Sequence, residues 1–208
     1  MTVIGITGPS GAGKTTVLGV LEELGAAVID CDALYHKLLR EDADLLGRIR
    51  DRFGPSVFDR EGNLDRKSLG AVVFHDPAAL EELNQLTHAA VLVALDGLLA
   101  RAEAEGYRTA AIDAIALIES GAAEKCAVTV AVTAPAEVRV KRLMAREGIS
   151  EDYARARVGA QKPDRFYEAH CNYVLRNGGD RLECRRQAQE LFETLLLRRL
   201  NNRRSSKK

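Results

Sequence analysis

The stretch GITGPSGAGKTT, residues 5–16, decides the fold of this chain. Its residues 8–15 fit the pattern GxxxxGK(S/T) at every fixed position. Glycines here let the backbone turn its N–H groups inward around phosphate oxygens, and a helix that begins here points its positive end at the same anion. The stretch therefore predicts a phosphate-binding loop for a nucleotide, whose binding residues are Gly8, Ser10, Gly11, Ala12, Gly13, Lys14, Thr15 and Thr16.

Two side chains of this loop have distinct predicted roles. We expect Lys14 to neutralise charge on the β- and γ-phosphates and Thr15 to place its hydroxyl on Mg²⁺. A glycine-rich turn without a ligand is the alternative, but the context that the motif requires, a strand before it and a helix after it, is present. The loop alone leaves open whether the phosphate goes to water, as in a switch or motor, or to an acceptor, as in a kinase.

Strand and helix signals alternate along the chain. The apolar run TVIGIT (residues 2–7) indicates a buried strand, and the helical spacing of residues 14–24 ends at Gly25. Further strands are indicated by AAVIDCD (26–32), YRTAAIDAIALIE (107–119, ending at Asp113), CAVTVAVTAP (126–135) and NYVLRNGG (172–179). Five strands that alternate with helices predict an α/β fold with a parallel sheet covered on both faces.

The segment between the second and third strands is long and mostly helical. It covers residues 33–106 and is broken by turn residues in RFGPSVFDREGNLDR. Because it is too long for an ordinary crossover, it predicts an inserted helical substrate domain. The predicted nucleotide-binding core then consists of residues 1–32, 107–140 and 171–208, and residues 141–170 form the predicted lid, with a helix break at Gly148 and a helix cap at Ser150.

Carboxylates follow two of the predicted strands. Asp30 and Asp32 share a face if the strand continues through them, and ligands of open α/β sheets bind at such strand ends. One of the two could take a proton from an acceptor hydroxyl; the alternative is that an aspartate here caps the next helix. Asp113 resembles a Walker B residue, which would hold Mg²⁺ directly or through water.

The predicted lid is strongly basic. Arg142 and Arg146 are four residues apart and so share one helix face. Phosphoryl transfer needs cations near the transferring group, so both are candidate catalytic residues. The alternative is a solvated helix whose arginines pair with Glu137 and Glu147.

Composition excludes several classes of protein. The chain has 30 basic and 30 acidic residues and a formal net charge of +0, so no overall charge attracts it to nucleic acid or membrane. The tail, residues 198–208, is basic, and we interpret it as a solvated terminus rather than an anion-binding arm. The four cysteines lack zinc spacing, and no signal peptide or long apolar run is evident, which favours the cytoplasm.

In order along nearly the whole chain, these residues resemble the dephospho-CoA kinase family, a group of P-loop kinases. The similar segments are GITGPSGAGKTTV, LGAAVIDCDAL, FGPSVFDREGNLDRKSLGAVVF, LNQLTHAAV, IDAIALIESG, RVKRLMAREGISEDYARARVGAQ and HCNYVLRNGG. The chain departs from the family pattern at Ala89, Ile115 and Asn172, which bears on the substrate pocket more than on activity.

The resemblance implies transfer of a phosphate from ATP to the ribose 3′-hydroxyl of dephospho-CoA. It implies a P-loop three-layer sandwich, Asp32 as the base or orienter of that hydroxyl, and Arg142 and Arg146 closing over the phosphates. It also implies that Arg66 and His88 lie near the CoA moiety, although a lone histidine in a helix is usually structural. We expect a monomer or a weak homo-oligomer that binds no nucleic acid or membrane.

Two other classes remain as rivals. A nucleoside monophosphate kinase would share the loop, fold and lid, but the FGPSVFDREGNLDR and LNQLTH segments argue against it. A GTPase switch usually carries an NKxD-like guanine-binding segment, and none is present. Dependence of ATP turnover on an added acceptor distinguishes a kinase from a switch.

Overall fold

A computed structural model describes the backbone of residues 1–205 and the side chains of residues 1–197; the side chains of the predicted basic tail, residues 198–208, lie outside the described part. Within it, one parallel sheet has five strands in the spatial order β2-β3-β1-β4-β5. The strands are β1 (Thr2–Thr7), β2 (Ala27–Asp30), β3 (Thr109–Asp113), β4 (Val128–Thr133) and β5 (Tyr173–Arg176).

Nine α-helices connect and follow these strands within residues 1–205. They are α1 (Lys14–Glu23), α2 (Cys31–Glu41), α3 (Ala43–Phe53), α4 (Arg66–Val73), α5 (Pro77–Ala104), α6 (Ala136–Glu147), α7 (Glu151–Gly159), α8 (Asp164–His170) and α9 (Arg181–Ser205). The helix α1 ends as predicted, with Gly25 at a φ of 82°. Gly148, at a φ of 66°, ends α6, and the Ser150 hydroxyl caps α7, both as predicted.

The sheet is the middle layer of three. On one face, α1 and α9 cover a cluster that includes Ile6, Leu21 and Phe192, all fully buried. On the other face, α2 and α5 pack on a second cluster around Leu95 and Ile112. Apolar side chains on both faces of the strands explain why the strand sequences are continuous apolar runs. The predicted three-layer α/β fold is therefore confirmed.

The long helix α5 belongs to two hydrophobic clusters. Its first half, with Leu83, packs in a cluster built from α2, α3 and α4, whereas its second half, with Leu95, packs on the sheet. The predicted division of the chain into a nucleotide-binding core and an inserted substrate domain of residues 33–106 stays a prediction. The packing shows that the end of this segment also contributes to the layer that covers the sheet.

By length and composition alone, α5 is also the one described helix that could cross a membrane, since an 18-residue window in it has a mean hydropathy of 1.3. The sequence expectation, which considered only unbroken apolar runs, overlooked it. The buried residues Ala79, Leu83, Thr87, Val91 and Leu95 recur at every fourth position. That spacing is typical of a helix packed along one side in a protein core.

The second strand is shorter than predicted. It ends at Asp30, and α2 begins at Cys31, because the Asp30 carboxylate accepts a hydrogen bond from the Ala33 backbone N–H at 2.8 Å and caps the helix. The prediction that the strand continues through Asp32 is therefore wrong, and the capping alternative holds for Asp30. Asp32 lies in the first turn of α2 instead.

Candidate active site

The phosphate loop lies between β1 and α1, and its glycines leave no room for side chains. Gly8 and Gly13 have φ values of 136° and 102°. A Cβ on Gly8 would lie 2.0 Å from the Val132 carbonyl oxygen, and one on Gly13 would lie 2.1 Å from Asn177 Nδ2. The Thr16 N–H donates to the Gly13 carbonyl oxygen at 3.0 Å at the start of α1. Neighbouring elements thus determine the path of the loop.

Lys14 lies between the loop and two carboxylates. Its ammonium donates to the Gly8 carbonyl oxygen, with an Nζ–O distance of 3.0 Å. Burial lowers the pKa of Lys14, and the negative charges of Asp113 and Asp32 oppose that effect. The ammonium is therefore held at the loop by a hydrogen bond and by charge, which supports the predicted contact with phosphates.

The end of β3 offers a ligand position for a metal. The sheet register places Asp30 beside Asp113, and Asp113 Oδ1 is buried without a hydrogen-bond partner among the described residues. Burial raises the pKa of Asp113 to about 6, while the Lys14 charge opposes the rise. Thr15 is exposed in the first turn of α1.

These residues fit Mg²⁺. This ion usually takes one or two protein oxygens and completes its shell with phosphates and water. The unpartnered oxygen of Asp113 and the hydroxyl of Thr15 supply such ligands. Among the described residues no group of three His, Cys, Asp or Glu side chains could hold a metal by itself. The arrangement therefore suits an ion that binds together with a nucleotide.

Asp32 faces the same ammonium from α2. The Ile115 backbone N–H donates to its carboxylate, and burial raises the pKa of Asp32 against the opposing charge of Lys14. A carboxylate that is partly removed from water, next to the ammonium at the phosphate loop, can orient or accept a hydroxyl proton. Asp30, by contrast, uses one carboxylate oxygen to accept the hydrogen bond that caps α2.

Arg142 contacts the loop from its outer side. Nη1 donates to the carbonyl oxygens of Gly11 (3.3 Å), Ala12 (3.4 Å) and Asn177 (3.1 Å), and Nη2 donates to Asn177 Oδ1 (3.3 Å) and to the Gly179 carbonyl oxygen (3.1 Å). A loop that turns its N–H groups inward points its carbonyl oxygens outward. In this structure Arg142 thus binds carbonyl oxygens of the loop, and its predicted position over the phosphates stays a prediction.

Asn177 completes this support and was not among the predicted site residues. Its side chain is nearly inaccessible, at 6% exposure, and its Nδ2 donates to the Ala12 carbonyl oxygen at 2.8 Å. Asn177 lies in NYVLRNGG directly after β5. A polar residue at the carboxyl end of a strand is the one feature of the sequence that could have indicated a site residue here. The sequence gives no sign that the amide reaches back to the loop.

Arg146 acts on Lys14 through its charge. Its positive charge contributes to lowering the pKa of Lys14, and its predicted position over the phosphates stays a prediction. The guanidinium also pairs with Glu147 at 2.5 Å, and Arg155 of α7 pairs with Glu137 at 2.7 Å. The alternative of a solvated helix with Glu137 and Glu147 as ion-pair partners therefore describes these exposed contacts of α6 and α7.

A second connection to the loop also escaped the sequence prediction. Gln161, between α7 and α8, accepts from the Ser10 N–H at 3.1 Å and donates to Ser10 Oγ at 2.8 Å. Arg139 of α6 is almost fully buried, and its Nε donates to the Ser10 carbonyl oxygen at 3.0 Å. Both residues belong to the segment RVKRLMAREGISEDYARARVGAQ, residues 139–161, but helical spacing does not reveal which of its side chains turn toward the loop.

A cleft of about 390 Å³ opens beside these contacts. It is lined by Ile115, Glu119, Ala160, Gln161, Lys162, Pro163 and Tyr167. His88 of α5 is near Glu119; burial lowers the pKa of His88 and the Glu119 charge opposes this. Arg66 is exposed at the start of α4, near Tyr35. Arg66 and His88 thus have different charged or polar neighbours, and no hydrogen bond or ion pair among the described residues joins them.

The three departures from the family pattern have different surroundings. Ile115 lines the cleft and its backbone N–H binds Asp32, so this departure lies at the site itself. Asn172 Oδ1 accepts from the Thr129 N–H at 2.8 Å just before β5, which is a structural role. Ala89 is exposed on α5.

Comparisons with known proteins give one consistent family. A sequence profile of dephospho-CoA kinase matches residues 2–183. A dephospho-CoA kinase of Dehalococcoides mccartyi is 37% identical over 177 residues, which cover 85% of this chain and 89% of that protein.

Solved structures agree with this match. TT1252 from Thermus thermophilus superposes with a TM-score of 0.78 at 34% identity, over 94% of this chain and 97% of its own. The dephospho-CoA kinase of Campylobacter jejuni, at a TM-score of 0.66 and 24% identity over 93% and 96% of the two chains, supports the fold. Since the profile extends from the phosphate loop past β5 and a relative above 30% identity covers most of the chain, this chain belongs to the dephospho-CoA kinase family.

Proposed function

We propose that this chain transfers the γ-phosphoryl group of ATP to the ribose 3′-hydroxyl of dephospho-CoA, which yields coenzyme A and ADP in the last step of coenzyme A biosynthesis. The observation that carries the proposal is the meeting of Lys14, Asp32 and Asp113 at the phosphate loop of a chain from this family. A loop, a cation and two carboxylates from separate elements are what a phosphotransferase needs at one place.

The loop and Lys14 hold the phosphates of ATP. The backbone N–H groups of Gly11, Gly13, Lys14 and Thr15 and the N-terminus of α1 supply positive potential that the fold has already oriented, so little reorganisation accompanies the reaction. Lys14 neutralises charge that spreads onto the transferring group. Arg146, whose charge already reaches Lys14, adds a second cation on the lid side. Arg142 acts as a positioning residue through the loop carbonyl oxygens.

Thr15 and Asp113 would hold Mg²⁺. When bound, the ion neutralises phosphate charge and orients the β- and γ-phosphates. For this role Asp113 must be ionised, and its pKa near 6 makes it so at neutral pH.

Asp32 orients the acceptor hydroxyl and accepts its proton. Its carboxylate accepts a hydrogen bond from the Ile115 N–H and is attracted by the Lys14 charge, so we place the acceptor hydroxyl between Asp32 and the phosphate loop. We assign the acceptor to the cleft beside Ile115 and Glu119, with His88 at the Glu119 side and Arg66 on the helical segment 33–106. Residues 141–170 would cover the reacting phosphates.

A coupled assay that detects ADP tests the proposal. Purified protein with MgATP is given dephospho-CoA, AMP, CMP or no acceptor. We expect rapid ADP release only with dephospho-CoA. Much faster release with AMP or CMP would instead support a nucleoside monophosphate kinase, and release that is independent of any acceptor would support a hydrolytic switch or motor.

The remaining expectations on partners follow from the same proposal. Dephospho-CoA is the partner molecule, and the neutral net charge gives no reason for binding to nucleic acid or a membrane. We propose a monomer or weak homo-oligomer in the cytoplasm. Gel filtration with light scattering tests the first point, and fractionation of cells tests the second.

A further inference from the structure

We propose that Gln161 is a positioning residue that clamps the lid onto the phosphate loop through Ser10 and thereby keeps water from competing with the acceptor. The inference rests on the proposed function, since only a phosphotransferase must exclude water from the phosphate it moves. It gives a role in the reaction to a residue that was not among the predicted site residues.

All three polar groups of Ser10 are bound by residues from the lid side. Gln161 Oε1 accepts from the Ser10 N–H (3.1 Å), Gln161 Nε2 donates to Ser10 Oγ (2.8 Å), and Arg139 Nε donates to the Ser10 carbonyl oxygen (3.0 Å). Arg139 Nη2 also donates to Gln161 Oε1 at 2.7 Å. The two side chains thus form one network with the loop residue between them.

Of the two side chains that bind Ser10, only Gln161 can move away from the loop without disrupting the packing of the helices. Arg139 is part of α6, which is pressed against the loop: a Cβ on Gly11 would lie 2.9 Å from the Arg139 carbonyl oxygen. The helices α6 and α7 share a small core of Val140, Leu143 and Ala154. Gln161 instead lies in the connection between α7 and α8, outside any helix. Its pair of hydrogen bonds to Ser10 is therefore the separable contact.

Gln161 also lines the cleft of about 390 Å³ where we place the acceptor. Its amide consequently stands between the loop and the cleft, and displacement of residues 160–163 would open a path for water between them. Closing segments in enzymes that handle reactive phosphates exclude water in this manner. We therefore expect that loss of the Gln161 side chain changes the ratio of phosphoryl transfer to ATP hydrolysis, and does not only weaken the binding of phosphate.

The test compares Gln161→Ala with Gln189→Ala, an exposed glutamine on α9 that pairs with Glu193. Two rates are measured: transfer to dephospho-CoA, and ATP hydrolysis without acceptor. We expect Gln161→Ala to slow transfer about tenfold, since the two neutral hydrogen bonds to Ser10 and the one from the Arg139 guanidinium are lost, while hydrolysis is unchanged or faster. Gln161→Glu keeps the acceptor atoms for the Ser10 N–H and Arg139 but loses the donor, so its ratio of hydrolysis to transfer should be intermediate.

A readout without activity accompanies these rates. Hydrogen exchange of residues 7–16 in the protein without ligand should be faster in Gln161→Ala than in wild type or Gln189→Ala. Equal losses in both reactions, or exchange that matches the control, would overturn the proposal, and the Tm of each variant distinguishes unfolding from opening. If the wild type transfers nothing to dephospho-CoA, the proposed function fails, while hydrogen exchange still decides whether Gln161 clamps the loop.

Discussion

Replacing Asp113 by Asn should stabilise the protein without ligand and yet impair catalysis. Asp113 ends β3, and its buried Oδ1 has no hydrogen-bond partner within the part of the chain that the structure describes. Burial raises its pKa from 3.8 to about 6, although the Lys14 ammonium opposes the rise. The folded chain therefore holds a proton at this carboxyl more tightly than the unfolded chain does, and the ionised carboxylate destabilises the fold.

The sign and size of the effect follow from the two pKa values. Because the folded-state pKa is the higher one, the stability that the proton contributes is fully present below pH 4 and is lost as the pH rises through 6. At about 1.36 kcal/mol for each pH unit between the two values, ionisation costs about 3 kcal/mol. Loss of the attraction to Lys14 and partial access of water reduce the expected gain to about 2 kcal/mol, or about 4–8 °C in Tm for a chain of this length.

Calorimetric unfolding without ligand, at pH 4.5 and pH 8, measures this gain. We expect the Tm advantage of Asp113→Asn to be larger at pH 8, while kcat with MgATP falls about 10- to 100-fold because a group that orients the metal is lost. Asp51→Asn, at an exposed carboxylate of α3, is the matched control and should change neither quantity. An unchanged or lower Tm of Asp113→Asn at pH 8, or a gain of equal size at both pH values, would refute the reasoning.

Three further substitutions test other parts of the site. Lys14→Ala should nearly abolish transfer with the fold intact, because the ammonium is needed most as charge develops; near-normal turnover would contradict this. Asp32→Asn should lower kcat by roughly 10²–10⁴-fold with a smaller change in the KM for ATP, whereas Asp30→Asn should cost about 1 kcal/mol of stability or less; the reverse order in kcat would reassign the two. Asn177→Ala should lower the free energy of unfolding in urea by about 1–3 kcal/mol, since the Ala12 carbonyl oxygen loses its closer donor and Arg142 Nη2 loses the acceptor Asn177 Oδ1; an unchanged unfolding midpoint would count against that support of the loop.

The phosphate loop and the sheet could be predicted because local patterns determine them. The fixed glycines and lysine of residues 8–15 are required by backbone geometry around phosphate, so the letters alone are specific. The strand end at Asp113 was also correct, since the apolar run stops there. The end of β2 was placed two residues too late because alternation continues through Asp32, while the capping bond from Asp30 already starts α2.

Long-range contacts account for what the sequence could not reveal. Arg142 and Arg146 share a helix spacing, yet Arg142 meets carbonyl oxygens at the back of the loop and Arg146 does not. Their difference depends on where β5 ends, because Asn177 and Gly179 supply part of the Arg142 site. Such partners are separated from Arg142 by about thirty-five residues in the chain, and no spacing rule connects them.

The most direct test of the account is to identify the phosphorylated product. Dephospho-CoA is incubated with MgATP and the protein, and the product is examined by ³¹P NMR and mass spectrometry. The account predicts a gain of one phosphoryl group as a monoester at the ribose 3′-oxygen, in a ratio of one to the ADP released. ADP release accompanied by inorganic phosphate and unchanged dephospho-CoA, or a phosphoryl group on another oxygen, would contradict it.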